Sequence, residues 1–309
     1  MRPDPVGAEP PPETTRLRIS HGPVCQAPQF AAEGLLRDEG FSRLDYIKQE
    51  GVGLYRALAA GEVDLSTTFV APFIIQVDAA DPVVLLAGVH VGCLELFGTD
   101  RVRGIADLKG KVVAISARGG PSHVFLVSML AHVGVDHRSV NWVTYPRDEA
   151  IRRLAAGEID ALMAFPPDPQ ELRARKIGRV VVNTAKDRPW AQYFCCMLAG
   201  NAEFVRKNPV ATKRAVRAII KGIDICALEP ERTARLLVDR GFTPRYDYAV
   251  GTLKSLPYRQ WREYDPEDTV RFYALRLHEA GMIKSTPQRI LTQGTDWRFL
   301  NELKRELKG

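Results

Sequence analysis

The stretch Ser116-Ala-Arg-Gly-Gly-Pro-Ser-His-Val-Phe125 carries the densest set of groups able to do chemistry. Gly119 and Gly120 allow backbone to approach a bound group closely. Ser116, Ser122 and the free amides of a helix start suit an anion, and Arg118 adds a positive charge. The glycines also suffice to turn a strand into a helix with no ligand. His123, early in that helix, is expected to pack or cap.

A second pattern occurs twice. Leu58–Phe69 reads LAAGEVDLSTTF and Leu154–Phe165 reads LAAGEIDALMAF. In each, a glycine stands where a helix stops, followed by a short β-rich run. In parallel α/β sheets ligands bind beyond the carboxyl ends of the strands. Two such corners, one per sheet, can face each other across a cleft, with Ser66, Thr67 and Thr68 on one wall and Ala164, Phe165 and Pro166 on the other. The alternative is a common helix stop that arose twice.

Other candidates follow from the same geometry. Phe165 offers a stacking surface. Asp168, between two prolines, would suit a cationic or amine-bearing ligand, or is only a solvated turn. The loop HGPVCQAP presents Cys25 and Gln26, with a simple turn as the competing reading. In RPWAQYFCCM, Trp190, Gln192 and Tyr193 are within reach of a cleft. Tyr246, Tyr248, Tyr258, Trp261 and Tyr264 are expected to pack helices, with a lid over the cleft as the functional alternative.

These groups need elements to hold them. LRISHG, SRLDYIKQE, VDLSTTFV, KVVAIS and VNWVTYP read as strands, and PVVLLAGVHVGCLELFG as one or two more. Helical segments alternate with them, PSHVFLVSMLAHVG opening on proline and closing on glycine. The pattern restarts near residue 100, which predicts two parallel sheets. From Asn201 onward the chain reads as mainly helical.

Composition narrows the class. The 309 residues are 45% hydrophobic and 26% charged, and a net charge of +6 is spread along the chain rather than gathered in a basic block. With no zinc spacing, RNA-binding signature or basic heptads, nucleic acid is not an expected partner. No apolar run reaches the roughly 18–20 residues of a membrane span. Residues 1–15 are Pro-rich and polar and are expected to be a disordered tail. They read like the start of a mature exported protein whose signal is left out, or of a cytoplasmic protein with a ragged end. Five cysteines without regular spacing or CxxC predict neither a disulfide framework nor a metal site, but small buried hydrophobes. Adjacent Cys195 and Cys196 cannot readily close an unstrained disulfide and are expected to be structural.

The order helix–AAGEVD–strand–AP, IADLKGKVVAIS, a Gly/Ser turn into a helix, AAGEIDALMAFPP and NAEFVRKNPVATKRAVRAI resembles the periplasmic substrate-binding proteins of nitrate, sulfonate and taurine ABC importers, over roughly residues 17–281. Binders and synthases of the thiamine pyrimidine precursor belong to the same wider group. The resemblance implies an α/β fold of the two-lobed type II periplasmic-binding-protein kind with two crossings. Lobe 1 would be 16–97 and 199–309, and lobe 2 would be 98–198. It favours ligand contact by the Ser116–Ser122 stretch. It implies a monomeric periplasmic protein, not an enzyme and without cofactor, that closes on a small organic ligand of sulfonate, nitrate, carboxylate or pyrimidine type and presents the closed form to an ABC permease. MAFPPDPQE departs from the Glu-Pro-like step usual there. Two rivals remain. A pyridoxal-phosphate and iron-dependent pyrimidine synthase would need a Schiff-base lysine and a metal cluster, and its longer Cys-rich run is reduced here to two cysteines. A regulatory effector domain would need a helix-turn-helix ahead of Leu17.

Overall fold

The computed structural model describes residues 9–49 and 51–306. In chain order its strands are β1 (Arg16–His21), β2 (Arg43–Lys48), β3 (Leu65–Phe69), β4 (Val83–Val91), β5 (Glu95–Gly98), β6 (Val112–Ile115), β7 (Asn141–Thr144), β8 (Ala161–Ala164), β9 (Arg179–Asn183) and β10 (Phe194–Asn201). They form two five-stranded sheets, ordered β2-β1-β3-β10-β4 and β7-β6-β8-β5-β9. The same arrangement is thus built twice, as the two lobes of a periplasmic-binding-protein fold. The sheets are not fully parallel as expected. β10 runs antiparallel to β3 and β4, and β5 runs antiparallel to β8 and β9. The reason is topological: β5 and β10 are the strands on which the chain arrives from the other lobe.

The repeated corner has one construction in both lobes. Gly61 and Gly157 take positive φ of 69° and 70° just past their helices. Their amides close back on Leu58 and Leu154, each at 3.1 Å, in the manner of a Schellman stop. Asp64 then accepts from the Arg18 amide at 2.7 Å, and Asp160 from the Val112 amide at 2.8 Å. The same two residues donate their own amides to Arg18 and Val112, each at 2.8 Å. The aspartates therefore tie the incoming strand to its parallel neighbour, β1 or β6. Arg18 pairs with Asp64, and Arg101 with Asp160.

The crossings fall a few residues from where the sequence put them. The apolar run 82–98 holds two strands in different sheets, so residues 95–97 stand in the second lobe's sheet and 194–198 in the first's. The chain passes between lobes at 92–94 and again between β9 and β10. The two passages touch: Thr184 donates its hydroxyl to the Leu94 carbonyl at 2.6 Å. Gly92, at φ 68°, lies so close to Ala185 that a Cβ there would sit 2.4 Å from the Ala185 Cβ.

After β10 the chain is helical, as expected. Helix Pro209–Leu228 packs against Ala27–Ala31 so tightly that a Cβ on Gly222 would meet the Pro28 carbonyl oxygen at 2.3 Å. The last helix, Arg298–Glu306, buries Phe299, Leu300 and Leu303. Of the expected disordered tail, residues 1–8 lie outside the described residues, and 9–15 are tied down. Glu13 accepts from the Val210 and Ala211 amides at 3.0 and 2.9 Å, a carboxylate at a helix N-terminus. Glu9 pairs with Arg217 at 2.6 Å. No helix among the described residues is long and apolar enough to cross a membrane.

Candidate functional site

A cavity of about 490 Å³ lies where the lobes and both crossings meet. The second lobe contributes Glu95 of β5, Pro166, Gln170, Arg173 and Asn183. The crossings contribute Cys93, Ala185 and Lys186. The first lobe contributes helix Tyr246–Ser255 through Asp247, Tyr248, Gly251 and Ser255, followed by Leu256. Its charges are mostly paired. Arg173 bonds Glu95, and Asp247 bonds Arg245 at 2.6 Å. Lys186 has no ion-pair partner among the described residues, so the lining holds one cation not tied up in an ion pair. Gln170 Oε1 is buried with no hydrogen-bond partner among the described residues. Tyr248, Leu256 and Pro166 supply apolar surface. The size and the mixture suit a small organic molecule.

Only the second of the two repeated corners reaches this cavity, through Pro166. Ser66, Thr67 and Thr68 are not on a cleft wall but inside β3, buried on both faces. Ser66 donates to Ser20 at 2.8 Å, and Thr68 meets the Tyr55 hydroxyl at 3.2 Å. Beyond them Phe69 packs on Phe125 of the other lobe, ring centroids 4.6 Å apart. Trp190 is buried against the same Phe125, and half-buried Tyr193 stacks on Phe272 at 4.0 Å. Gln192 is exposed. Phe165 is half-buried on the hydrophobic core. Asp168 is neither a solvated turn nor a free anion: Arg147 binds it at 2.5 Å and also takes Glu171. Burial still pushes the Asp168 carboxyl above its ordinary range. None of these lines the cavity.

The Ser116–Ser122 stretch does not line it either. Ser116, Arg118 and Gly119 are exposed, and the two serine hydroxyls stand 3.4 Å apart. Gly120 caps helix Pro121–His132. The Gly119 amide, expected for an anion, donates to His123 Nδ1 at 3.0 Å. His123 is thus the capping residue the sequence suggested. That bond needs Nδ1 unprotonated, and burial, with the charges of His137 and Arg118, lowers the His123 pKa to about 4. Between there and the ordinary value near 6.5 the unfolded chain binds a proton that the native ring does not. Stability should therefore fall as pH drops from about 6.5 to about 4. His123→Gln should make the slope of urea-unfolding free energy against pH shallower. Burial lowers His21 and His132 as well, so some slope remains. An unchanged slope would remove His123 from this account.

Sequence reasoning missed Glu95, Gln170, Arg173, Asn183 and Lys186, because each is an ordinary surface-type residue until the crossings bring them together. Tyr248 was among the aromatics weighed as a lid, and it lines the cavity. Tyr258 and Trp261 are buried packing residues. Cys25 and Gln26 are also buried, away from solvent. The cysteines are not scattered hydrophobes: Cys25, His90, Cys93 and Cys196 place one donor atom each within 4.8 Å of all the others. This corrects the expectation that no such cluster exists.

Comparison with known proteins agrees with the fold. A family model described as NMT1/THI5 like matches residues 28–233, about two thirds of the chain. The chain belongs to the NMT1/THI5 like family. Among solved structures, it is similar to the periplasmic nitrate-binding protein NrtA from Synechocystis PCC 6803, with TM-score 0.79 and 17% identity, covering 97% of this chain and 90% of that one. The alkanesulfonate-binding protein SsuA from Xanthomonas axonopodis pv. citri, bound to MOPS, gives 0.71 and 16%, covering 94% and 100%. The aliphatic sulphonate binding protein SsuA from Escherichia coli gives 0.69 and 17%, covering 90% and 92%. No curated protein matches the sequence. Identities this low establish for this NMT1/THI5 like chain a shared fold.

Proposed function

We propose that this protein is the periplasmic solute-binding component of an ABC importer. It acts as a monomer and captures a small organic anion without transforming it. The observation that carries the reading is the cavity of about 490 Å³ walled by both lobes and both crossings. A ligand there bridges the lobes and so favours the closed arrangement, the form a permease would read. Lys186 supplies an unpaired positive charge for a carboxylate or sulfonate. Tyr248 and Leu256 cover an apolar portion, and Gln170 Oε1 accepts a hydrogen bond from a hydroxyl or amine elsewhere on the ligand. A bare nitrate would leave most of this volume to water. The neighbours' names, nitrate- and sulfonate-binding, support the same class of cargo.

The test is thermal unfolding of the purified chain against nitrate, alkane sulfonates, taurine, aromatic carboxylates and aminopyrimidines at millimolar concentration. A micromolar organic anion should raise Tm by several degrees. Lys186→Ala should weaken that ligand about tenfold, the loss of one charge-assisted hydrogen bond. Stabilisation by aminopyrimidines alone would overturn the anion assignment. An anion whose affinity survives Lys186→Ala but collapses on Arg118→Ala would move the site to the Ser116–Ser122 loop.

A further inference from the structure

The mechanism of ligand capture makes no use of the cluster formed by Cys25, His90, Cys93 and Cys196. These residues come from three places in the sequence: the turn after β1, the end of β4 with the first crossing, and the start of β10. All are buried, and their donor atoms lie within 4.8 Å of one another. Three sulfurs and one imidazole nitrogen form the donor set of a closed tetrahedral site for zinc or a similar thiophilic ion. In such a site sulfurs about 2.3 Å from the metal stand about 3.8 Å apart, so only a small contraction is needed.

Three further observations point the same way. His90 is fully buried, its Nε2 has no hydrogen-bond partner among the described residues, and its Nδ1 faces the Val91 carbonyl at 3.4 Å. A ring held by one nitrogen on a carbonyl, with the other free, is how ligating histidines are oriented. Cys93, beside the cluster's other donors, is held at φ 135°, a strained conformation for a residue with a side chain. Cys93 also lines the ligand cavity, which provides an entry path.

We propose that Cys25, Cys93, Cys196 and His90 bind one thiophilic divalent ion of the zinc type, joining the first lobe's sheet to the first crossing at the hinge. Coordination by three thiolates and a neutral imidazole sends three thiol protons to solvent, and leaves one net negative charge at the site. Cys195, whose Sγ lies 3.2 Å from Cys93 Sγ, stands outside the ligand set. Cys226 is buried elsewhere, near Thr233.

The experiment uses the full chain, reduced and stripped with a chelator, and titrates it with Co²⁺ and then Zn²⁺. One Co²⁺ per chain should give thiolate-to-metal charge transfer and the strong visible bands of four-coordinate cobalt, and Zn²⁺ should abolish both. Cys93→Ser and Cys196→Ser should lose the signal, while Cys195→Ser and Cys226→Ser keep it. Because a cysteine variant can fail to fold, X-ray absorption of the zinc-loaded wild type is the second measurement. A shell of three sulfurs and one nitrogen is expected. A six-coordinate cobalt spectrum, an oxygen-dominated zinc shell, or a signal lost only in Cys195→Ser would overturn the assignment. So would a reduced protein that binds neither ion.

Discussion

Gly92→Ala should destabilise the protein by about 3–4 kcal/mol, while Gly134→Ala costs about 1 kcal/mol. Both glycines have positive φ, 68° and 72°, so both substitutions carry the strain of a side chain in the left-handed region. They differ in what the new methyl meets. At Gly134 there is nothing within 4 Å, whereas at Gly92 the Cβ would lie 2.4 Å from the Ala185 Cβ and 2.5 Å from its Cα. Those atoms are on the other crossing and include backbone, so the clash is relieved only by separating the two crossings. The Thr184–Leu94 hydrogen bond beside them opposes that movement. Urea unfolding of the two variants measures the difference, which isolates the contact from the backbone strain. Equal costs would mean the crossings are not packed on each other. Ala185 and Cys93 line the cavity, so Gly92→Ala should also weaken whatever ligand the thermal panel identifies.

What could be read from the sequence was the local chemistry. A glycine after Leu-Ala-Ala ends a helix whatever surrounds it, and both corners were visible for that reason. The order of helices and strands, and hence the two sheets, followed from patterns of the same kind, while the two-lobed fold was what the family resemblance implied. Position in the fold was not visible. Ser66 and Thr68 look like free hydroxyls until Ser20 and Tyr55 arrive from other parts of the chain. Asp168 looks like a ligand carboxylate until Arg147 reaches it from an earlier helix. The run VVLLAGVHVGCLELFG is apolar except for His90 and Glu95, and its composition does not tell where it leaves one sheet for the other. Gly92 marks the place only once Ala185 is seen against it. The sulfur cluster was hidden for the same reason. Its four donors have no motif spacing, because the fold and not the local sequence brings residues 25, 90, 93 and 196 together.

Asp64→Ala should cost about 3 kcal/mol, and Asp160→Ala about 2 kcal/mol. Each removes the acceptor for a strand amide and the partner of an arginine. The Arg18 side chain is 31% exposed and that of Arg101 is 52% exposed, so water and salt compensate the second loss more than the first. Asp64→Asn keeps one acceptor for the Arg18 amide and should cost about half as much as the alanine. At Asp160, burial pushes the carboxyl up, but the Val112 amide and Arg101 outweigh it and hold the pKa below its ordinary value. Its contribution is therefore fully present above pH of about 4 and is lost as pH falls through the native value. Asp160→Asn should flatten that part of the urea-unfolding profile. The comparison also decides what the repeated corner is. A helix stop that merely arose twice requires no aspartate, and both alanine variants would then fall within about 0.5 kcal/mol of wild type, as surface substitutions do. Losses of the predicted size and order would mean that each lobe is closed by the same aspartate bond, from β1 or β6 to the corner that feeds β3 or β8.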